Sequence, residues 1–279
     1  MATGEGIVTV MHGNGGTTRT ALTEHQLVRD LRDLGVRAGD TLLVHASLRS
    51  VGRVDGGAPT VVAALRQAVG PAGNVVVPAA TEENSMTSRA HRARIATMTA
   101  EEVRAYRLGM PAFHKETPSG MGAVAEAVRT ATGAIRSDHP QSSFAAVGPG
   151  AEYLMADHRV ECHYGEDSPL AKLCKMGALV LLIGVGYRAC TAFHLAEYRY
   201  APAPPLQTYA CVITAANGRR RWISYQDVVL DDHEFEIIGQ SLEKEAAIER
   251  RDVGNAECRL ISLPAAVEFA VQWMKEKRR

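Results

Sequence analysis

The sequence predicts an α/β protein in which a mixed, largely parallel sheet is flanked by helices. Short apolar runs bounded by turn residues alternate with segments whose apolar residues recur every three or four positions. A strand–helix–strand order of this kind favours parallel strands joined by crossover helices. A later stretch has Asn-Gly between two β-rich runs, which predicts a small antiparallel hairpin beside that sheet.

The first elements read as a βαβ unit. Residues 22–36 carry apolar side chains on one face and follow a capping Thr23, as an amphipathic helix does. Residues 40–48 and 74–81 are apolar runs that predict buried strands. Residues 59–70, with proline in their first turn, predict the helix between them.

The middle of the chain continues the alternation after a polar interruption. Residues 82–110 are rich in charge, and we expect a long excursion with one exposed helix that serves as a lid or binding loop. Residues 117–133 predict a loop and a helix, and residues 142–148 a strand. A helix over 168–177 then leads into residues 178–186, the most apolar strand and therefore a central one.

The last third predicts four further elements. A helix containing His194 follows the apolar strand directly. Residues 206–229 predict the hairpin, turning at Asn217-Gly218. Residues 232–251 and 263–279 predict two helices, the second with a basic end.

Composition excludes several classes of function. The 279 residues carry 31 basic and 31 acidic side chains, so neither nucleic acid nor an anionic membrane is the expected partner. No apolar run approaches the roughly 18–20 residues of a membrane-spanning helix. The Gly/Thr-rich residues 1–20 predict a flexible lead, not a secretory signal, and residues 21–279 a single domain.

The cysteines and histidines bear on compartment and metal content. Five widely spaced cysteines without a CxxC motif favour reduced thiols, and hence a cytoplasmic protein. His139, His158, His163 and His194 do not form the short spacings typical of metal ligands. We therefore expect no metal.

The stretch ACTAFHLAEYRY, residues 189–200, holds the first candidate site. His194 and Glu197 are three positions apart and share a helix face with Thr191, one turn earlier. The preceding strand would bring this face to the crevice at the strand ends, where an imidazole can accept a proton and a carboxylate can orient it. A histidine hydrogen-bonded inside the core, with Glu197 in a salt bridge, explains the same spacing.

Cys190 is a rival for the chemistry of this stretch. A thiol just before a helix can act as a nucleophile when its pKa is depressed. Small buried cysteines are far commoner, and we favour that interpretation.

The stretch LVHASLRSVGRVDGGAPT holds the second candidate site. A strand end is followed by Ser47, Ser50, several glycines and a helix start, so that backbone N–H groups can converge on a phosphate or pyrophosphate. Arg49 and Arg53 add positive charge. The stretch matches neither common nucleotide-binding motif, and an ordinary strand–helix loop remains an alternative.

Five segments together resemble the aminoglycoside 3-N-acetyltransferase family. They occur in the family's order over roughly residues 20–200: LLVHASLRSVGRVDGGAPTVVAAL, TPSGMGAVAEAVR, RSDHPQSSFAAVGPGA, GEDSPLAKL and VLLIGVGYRACTAFHLAE. The resemblance implies a three-layer α/β/α sandwich, which is a different fold from that of the common GNAT acetyltransferases. It also implies transfer of acetyl from acetyl-CoA to the 3-amino group of the deoxystreptamine ring of an aminoglycoside, which inactivates this antibiotic.

The resemblance assigns the site residues as follows. In the matched TxxHxxE pattern, His194 looks like the general base, Glu197 like its supporting carboxylate and Thr191 like part of the substrate pocket. HASLRSVG looks like the coenzyme A loop, formed by His45, Ser47, Leu48, Arg49, Ser50, Val51 and Gly52. TPSGMG looks like the opposite wall, where Ser119 and Met121 would touch pantetheine.

Drug preference does not follow from the resemblance. A substrate with several ammonium groups needs carboxylates, and we expect Glu82, Asp167 and Asp232 to supply them. Residues 82–110 match the family poorly, and Cys190 stands where many relatives have Asn or Asp. These two departures affect substrate range and regiochemistry.

Other functions remain open at this point. A related N-acyltransferase acting on another amine in biosynthesis fits the same residues, and so does a non-catalytic coenzyme A-binding protein. A metal-dependent hydrolase is disfavoured by the histidine spacing. The chain is expected to act as a monomer or homodimer.

Overall fold

A computed structural model describes residues 21–215, 217–246 and 248–278, without the side chains of Glu82 and Arg89. The expected flexible lead, residues 1–20, lies outside the described residues. Within the described ranges, no helix is both long and apolar enough to cross a membrane.

Helices and strands alternate over most of the described chain. The helices are α1 (Glu24–Leu34), α2 (Leu48–Val51), α3 (Ala58–Val69), α4 (Arg89–Ile95), α5 (Ala100–Gly109), α6 (Ala123–Arg129), α7 (Ala151–Met155), α8 (Pro169–Lys175), α9 (Ala192–Glu197), α10 (Phe235–Glu245) and α11 (Leu263–Lys277). The strands are β1 (Thr41–Ala46), β2 (Asn74–Pro78), β3 (Ile135–Arg136), β4 (Phe144–Val147), β5 (Leu179–Ile183), β6 (Leu206–Thr214), β7 (Arg220–Val228), β8 (Glu249–Val253) and β9 (Ala256–Ser262).

The main sheet is mixed, in the order β3-β4-β2-β1-β5-β9-β8. Parallel pairing, which we expected to dominate, is confined to the three central strands β2, β1 and β5. The outer pairs are antiparallel. At one edge of the sheet a short turn leaves no room for a crossover helix, since β8 and β9 are separated by two residues, Gly254 and Asn255.

Helices cover both faces of this sheet, which confirms the three-layer arrangement. On one face α1, α3 and α6 pack against Leu42 and Val44 of β1. On the other face α7 to α11 pack against Leu43 of the same strand. Because successive side chains of a strand point to opposite faces, an unbroken apolar run such as β1 supplies both cores.

The predicted elements are largely present, with three differences. Thr23 forms the expected capping box with Gln26 at the start of α1. The 82–110 segment contains two helices, α4 and α5, where we expected one. The hairpin of β6 and β7 forms a separate two-stranded sheet, but the predicted turn at Asn217-Gly218 belongs to a longer connection of five residues. The helix expected over 232–251 ends at Glu245, and β8 begins at Glu249.

The central strands bring the two candidate stretches together. β1 and β5 run parallel and end opposite each other, with Ala46 paired to Ile183. The Ser47 N–H then donates to the Ile183 carbonyl at 2.9 Å. Gly184 has a positive φ of 61°, and a Cβ there would lie 2.2 Å from the Cβ of Ser50. The two loops therefore cross in contact at the carboxyl end of the sheet.

Candidate active site

A cleft of about 310 Å³ opens beside α9. Its wall combines the 82–110 segment, the β6–β7 hairpin and the loop before α10. The residues that line it are Ser85, Thr87, Ser88, Arg92, Gln141, Ser142, His163, Tyr164, His194, Gln207, Tyr209, Leu230, Asp231, Asp232 and His233. Its wall is therefore mostly polar.

His194 projects from α9 into this cleft in a fixed orientation. Its Nδ1 donates to the Glu197 Oε2 at 2.7 Å. The ring stacks on Tyr164, with centroids 4.8 Å apart and planes at 7°, and meets the edge of Phe235 at 4.7 Å. Within the described part of the chain, Nε2 has no hydrogen-bond partner, although the side chain is only 16% exposed. The imidazole is therefore held on three sides and open on one.

Glu197 is fully buried and its carboxylate is saturated with donors. While Oε2 faces His194, Oε1 accepts from the Asp231 N–H at 2.8 Å and from Arg278 Nη1 at 2.9 Å. A buried carboxylate without such partners would be strongly destabilising. Because these two donors occupy Oε1, Oε2 is directed at His194 as an acceptor. An acceptor at Nδ1 places the imidazole proton there and leaves the Nε2 lone pair facing the cleft.

A second histidine–carboxylate pair lies in the same wall. His163 Nδ1 donates to Asp227 Oδ2 at 2.6 Å, and both side chains are buried. The His163 backbone N–H and the Tyr198 hydroxyl also donate to this carboxylate. Burial raises the pKa of Asp227, but the hydrogen bonds from the His163 ring, the His163 backbone and Tyr198 together outweigh burial and lower that pKa. His163 Nε2 lies 3.0 Å from Gln141 Oε1, so both ring nitrogens have protein partners.

Thr191 and Cys190 lie just before α9 and are both buried. Thr191 is the N-cap residue of α9, and its carbonyl accepts from the His194 N–H; it does not line the cleft. Burial raises the pKa of the Cys190 thiol to about 12, which leaves it protonated near neutral pH. This environment disfavours a thiolate nucleophile at Cys190.

The loop assigned to coenzyme A follows β1 as a single helical turn, α2. Ser47 caps α2, and Ser50 Oγ donates to the Gly184 carbonyl at 3.0 Å. Arg49 is exposed, whereas Leu48 is half-buried against the core that lies between the sheet and helices α1, α3 and α6. The Val51 side chain is fully buried, so Val51 offers only its backbone to a ligand. Gly52 has a φ of 99° and packs tightly against Asn255.

His45, at the end of β1, is the most unusual residue of this loop. It is 9% exposed, and its Nε2 is enclosed without a hydrogen-bond partner among the described residues. Burial, with a contribution from nearby His194, lowers the pKa of His45 to about 3, so the ring is neutral at physiological pH. An enclosed polar atom without a partner costs roughly 1–3 kcal/mol and suggests that a ligand or ordered water completes the site.

Ser119 and Met121 lie in the loop before α6, beside the end of β2. The Gly120 N–H donates to the Ala80 carbonyl at 3.3 Å, just past β2. Ser119 Oγ accepts from the Met121 N–H, and the partly buried Met121 side chain packs against the core on the α1, α3 and α6 side of the sheet. Because β1 and β2 are parallel neighbours, this loop and the loop at Ser47 lie at the same edge of the sheet.

The expected substrate carboxylates are dispersed. Asp232 lines the cleft, with Asp231 beside it. Asp167 lies at the surface, 3.7 Å from Arg159, and does not line the cleft. The Glu82 side chain lies outside the described part of the chain. We therefore replace Asp167 by Asp231 as a candidate in this wall.

Asp231, Asp232 and His233 also place three possible metal-ligand atoms within 4.8 Å of one another. They are consecutive and partly exposed, and the ring of His233 is hydrogen-bonded to Asp231. A metal centre is normally built from ligands that are fixed by other hydrogen bonds. A cluster of this kind serves equally well to attract an ammonium group.

Sequence reasoning missed the groups that support the base. Tyr164, Phe235 and Arg278 are distant from His194 along the chain, and no local spacing links them to it. The one signal for Arg278 was the basic end of α11.

Comparisons with known proteins identify the family of this chain. The family model described as aminoglycoside 3-N-acetyltransferase matches residues 43–275. Aminoglycoside N(3)-acetyltransferase VII of Streptomyces paromomycinus is 35% identical over 273 residues, covering 92% of each chain. These matches confirm the resemblance found in the sequence.

Solved structures give the same result. The crystal structure of the YokD protein from Bacillus subtilis has a TM-score of 0.86 and 35% identity, covering 93% of this chain and 95% of its own. The binary complex of AAC-IIIb with CoASH has a TM-score of 0.79 and 29% identity, covering 92% and 98%. The chain therefore belongs to the aminoglycoside 3-N-acetyltransferase family.

Proposed function

We propose that this acetyltransferase transfers acetyl from acetyl-CoA to the 3-amino group of an aminoglycoside, with His194 as general base. The observation that carries the proposal is the orientation of His194, whose Nδ1 is bonded to buried Glu197 while Nε2 faces the cleft without a partner among the described residues. Most buried histidine nitrogens are hydrogen-bonded within the protein, as both ring nitrogens of His163 are. This open nitrogen favours catalysis over packing.

The reaction follows from that geometry. The amine nitrogen attacks the thioester carbonyl carbon, and Nε2 of His194 takes the proton that the nitrogen loses. The carbon–sulfur bond then breaks, the sulfur of coenzyme A accepts the proton from His194, and an amide remains. A positioned base contributes typically about 10²–10⁴-fold to the rate. Because the buried, protonated Cys190 is a poor nucleophile, transfer is direct, without an acyl-enzyme.

The donor is proposed to lie along the ends of β1 and β2. The loop from Ser47 to Gly52 faces the pyrophosphate with its backbone N–H groups, and Ser119 and Met121 line the pantetheine channel. His45 precedes this loop and is near enough to His194 for His194 to contribute to its lowered pKa. Its enclosed Nε2, which has no partner among the described residues, is proposed to bond to the acyl end of the coenzyme. The relative with CoASH bound has the same fold.

The acceptor is proposed to lie against Asp231 and Asp232. Both carboxylates line the cleft that contains His194, and an ammonium group gains from such partners. Glu82 stays a candidate because the polar segment that follows it forms part of the same wall. An acceptor held in this way binds more weakly as the ionic strength rises.

The direct test measures release of coenzyme A thiol from acetyl-CoA with a panel of aminoglycosides. We expect turnover with at least one member, a mass increase of one acetyl group, and NMR assignment of the amide to the 3-amino position. Turnover only with unrelated amines would favour the biosynthetic alternative. Binding of coenzyme A without turnover on any amine would favour the non-catalytic one.

Salt provides a second test of the acceptor site. We expect the KM for the aminoglycoside to rise several-fold between low and physiological ionic strength, whereas that for a neutral amine stays constant. Compartment and assembly are part of the proposal too. The five free cysteines fit a reducing cytoplasm, and the chain is taken to act as a monomer or homodimer.

A further inference from the structure

Arg278 connects the end of α11 to the catalytic helix. It follows Lys277, the last residue of α11, and its side chain is only 16% exposed. Nη1 donates to Glu197 Oε1 at 2.9 Å, Nε to Glu234 Oε2 at 2.6 Å, and Nη2 to the Asp231 carbonyl at 2.8 Å. Three separate acceptors therefore fix one guanidinium behind the His194–Glu197 pair.

We propose that Arg278 is a positioning residue for the base, which fixes the buried Glu197 carboxylate and offsets part of its negative charge. The inference rests on the proposed role of His194. It adds a function for the basic end of α11 that the catalytic scheme does not use.

The geometry separates two effects of Arg278. Because Arg278 and the Asp231 N–H occupy Oε1, the other oxygen of Glu197 is directed at His194 Nδ1. Because the guanidinium is a permanent cation, it also weakens the attraction of Glu197 for a proton on His194. An imidazole that held its proton too tightly would be unable to accept one from the amine.

Other groups around the pair do not replace this charge. Arg92, in the cleft wall, bonds to the Thr87 carbonyl, and Arg188 lies 3.8 Å from Asp232. Among the described residues, the other titratable groups near His194, Glu197 or Arg278 are His45 on β1, His163 and Tyr164 before α8, Tyr209 on β6, and Asp231 to Glu234 before α10. Arg278 is the cation in contact with Glu197.

Two substitutions of Arg278 test separately the positive charge and the planar arrangement of its N–H donors. Arg278→Gln keeps N–H donors for Glu197 but removes the charge, and Arg278→Lys keeps the charge but removes the planar fork. Lys277→Gln is the matched control, since it removes a charge from the neighbouring exposed position. For each, kcat/KM is measured against pH.

The expected shift has a definite sign. Loss of the nearby cation stabilises the protonated imidazole, so the acid limb of the R278Q profile moves to higher pH by about one unit. R278K keeps the limb near its wild-type position but lowers kcat about tenfold, because Glu197 is less well fixed. A purely structural role would lower the amount of folded enzyme without moving the limb. An R278Q limb that coincides with wild type, or an equal shift in K277Q, would overturn the proposal.

A spectroscopic readout keeps this test independent of the acceptor. The ¹⁵N resonances of the His194 ring, assigned by their absence in H194Q, are titrated in folded wild-type and R278Q protein. We expect the midpoint of His194 to rise by the same one unit in R278Q. If aminoglycosides are not acetylated but the midpoint still rises, the proposed function fails while the role of Arg278 stands. An unchanged midpoint contradicts that role whatever the substrate.

Discussion

The two histidine–carboxylate pairs in the cleft wall are chemically alike but differ in whether the second ring nitrogen, Nε2, has a protein partner. His163–Asp227 and His194–Glu197 both have a short contact at Nδ1, 2.6 Å and 2.7 Å long. At His163 the second nitrogen faces Gln141, whereas at His194 it faces the cleft. The first pair is closed within the protein, and the second is open to a ligand.

The difference teaches that a buried histidine beside a carboxylate is not by itself a catalytic base. The carboxylate orients the ring in both places, but only an unpaired Nε2 can accept a proton from a substrate. His163 instead joins a buried group in which His139 lies 4.7 Å from it and 4.6 Å from His158 between ring centroids. We therefore expect substitutions in the two pairs to change different quantities.

The largest effect is expected for His194→Gln. It removes the nitrogen that accepts the proton, so kcat should fall by about 10²–10⁴-fold. Binding of CoASH, measured by calorimetry, should stay within threefold of wild type. Turnover close to that of wild type would mean that the open pair is not the base.

Asp227→Asn should act on stability instead. It removes the charge from a buried pair whose partners remain, so the free energy of unfolding should fall by about 3 kcal/mol. Denaturant titration measures this loss, and kcat per folded molecule should fall far less than in H194Q. A normal stability with a kcat as low as that of H194Q would reverse the roles of the two pairs.

Acid should destabilise the buried group around the His163–Asp227 pair, because His139 and His158 in that group are neutral in the folded protein. Burial lowers the pKa of His158 to about 3, and that of His139 falls well below its usual value. The unfolded chain binds these protons at about pH 6.5, so stability is complete above that pH and is lost as the pH falls towards 3.

His158→Gln is the matched variant for that acid effect. It removes one such group, and the slope of unfolding free energy against pH should decrease by about 1.4 kcal/mol per unit between roughly pH 6 and 4. Unfolding curves collected across that range measure the slope. Equal slopes in both proteins would show that His158 does not contribute.

The smallest effect is expected for Cys190→Ala. Its thiol is buried and protonated, so kcat should change by less than about threefold in the same thiol-release assay. Complete loss of activity in a folded C190A protein would restore the thiol as a nucleophile and weaken the importance of the open pair.

The sequence predicted those parts of the molecule whose signals are local. The capping box at Thr23, the apolar strands and the three-residue spacing of His194 and Glu197 all depend on neighbours along the chain. The turn at Gly254 and Asn255 was also a local signal, since two residues with glycine predict a tight hairpin, and it was overlooked.

The rest depends on contacts between distant residues. Arg278 is 81 positions from Glu197, and His163 is 64 positions from Asp227. Spacing could not distinguish the open histidine from the closed one, because what decides between them is whether a group such as Gln141 occupies Nε2. The substrate carboxylates were uncertain for the same reason, and Asp167 proved to face Arg159 at the surface.

A structure of the complex with coenzyme A and an aminoglycoside tests the central claim most directly. We predict that the acceptor amine nitrogen lies about 2.6–3.2 Å from His194 Nε2, with the coenzyme sulfur on the side of His45 and Ser47. His163 should keep both of its protein partners. An amine bound at His163 Nε2, or an acetyl group attached to Cys190, would contradict the account.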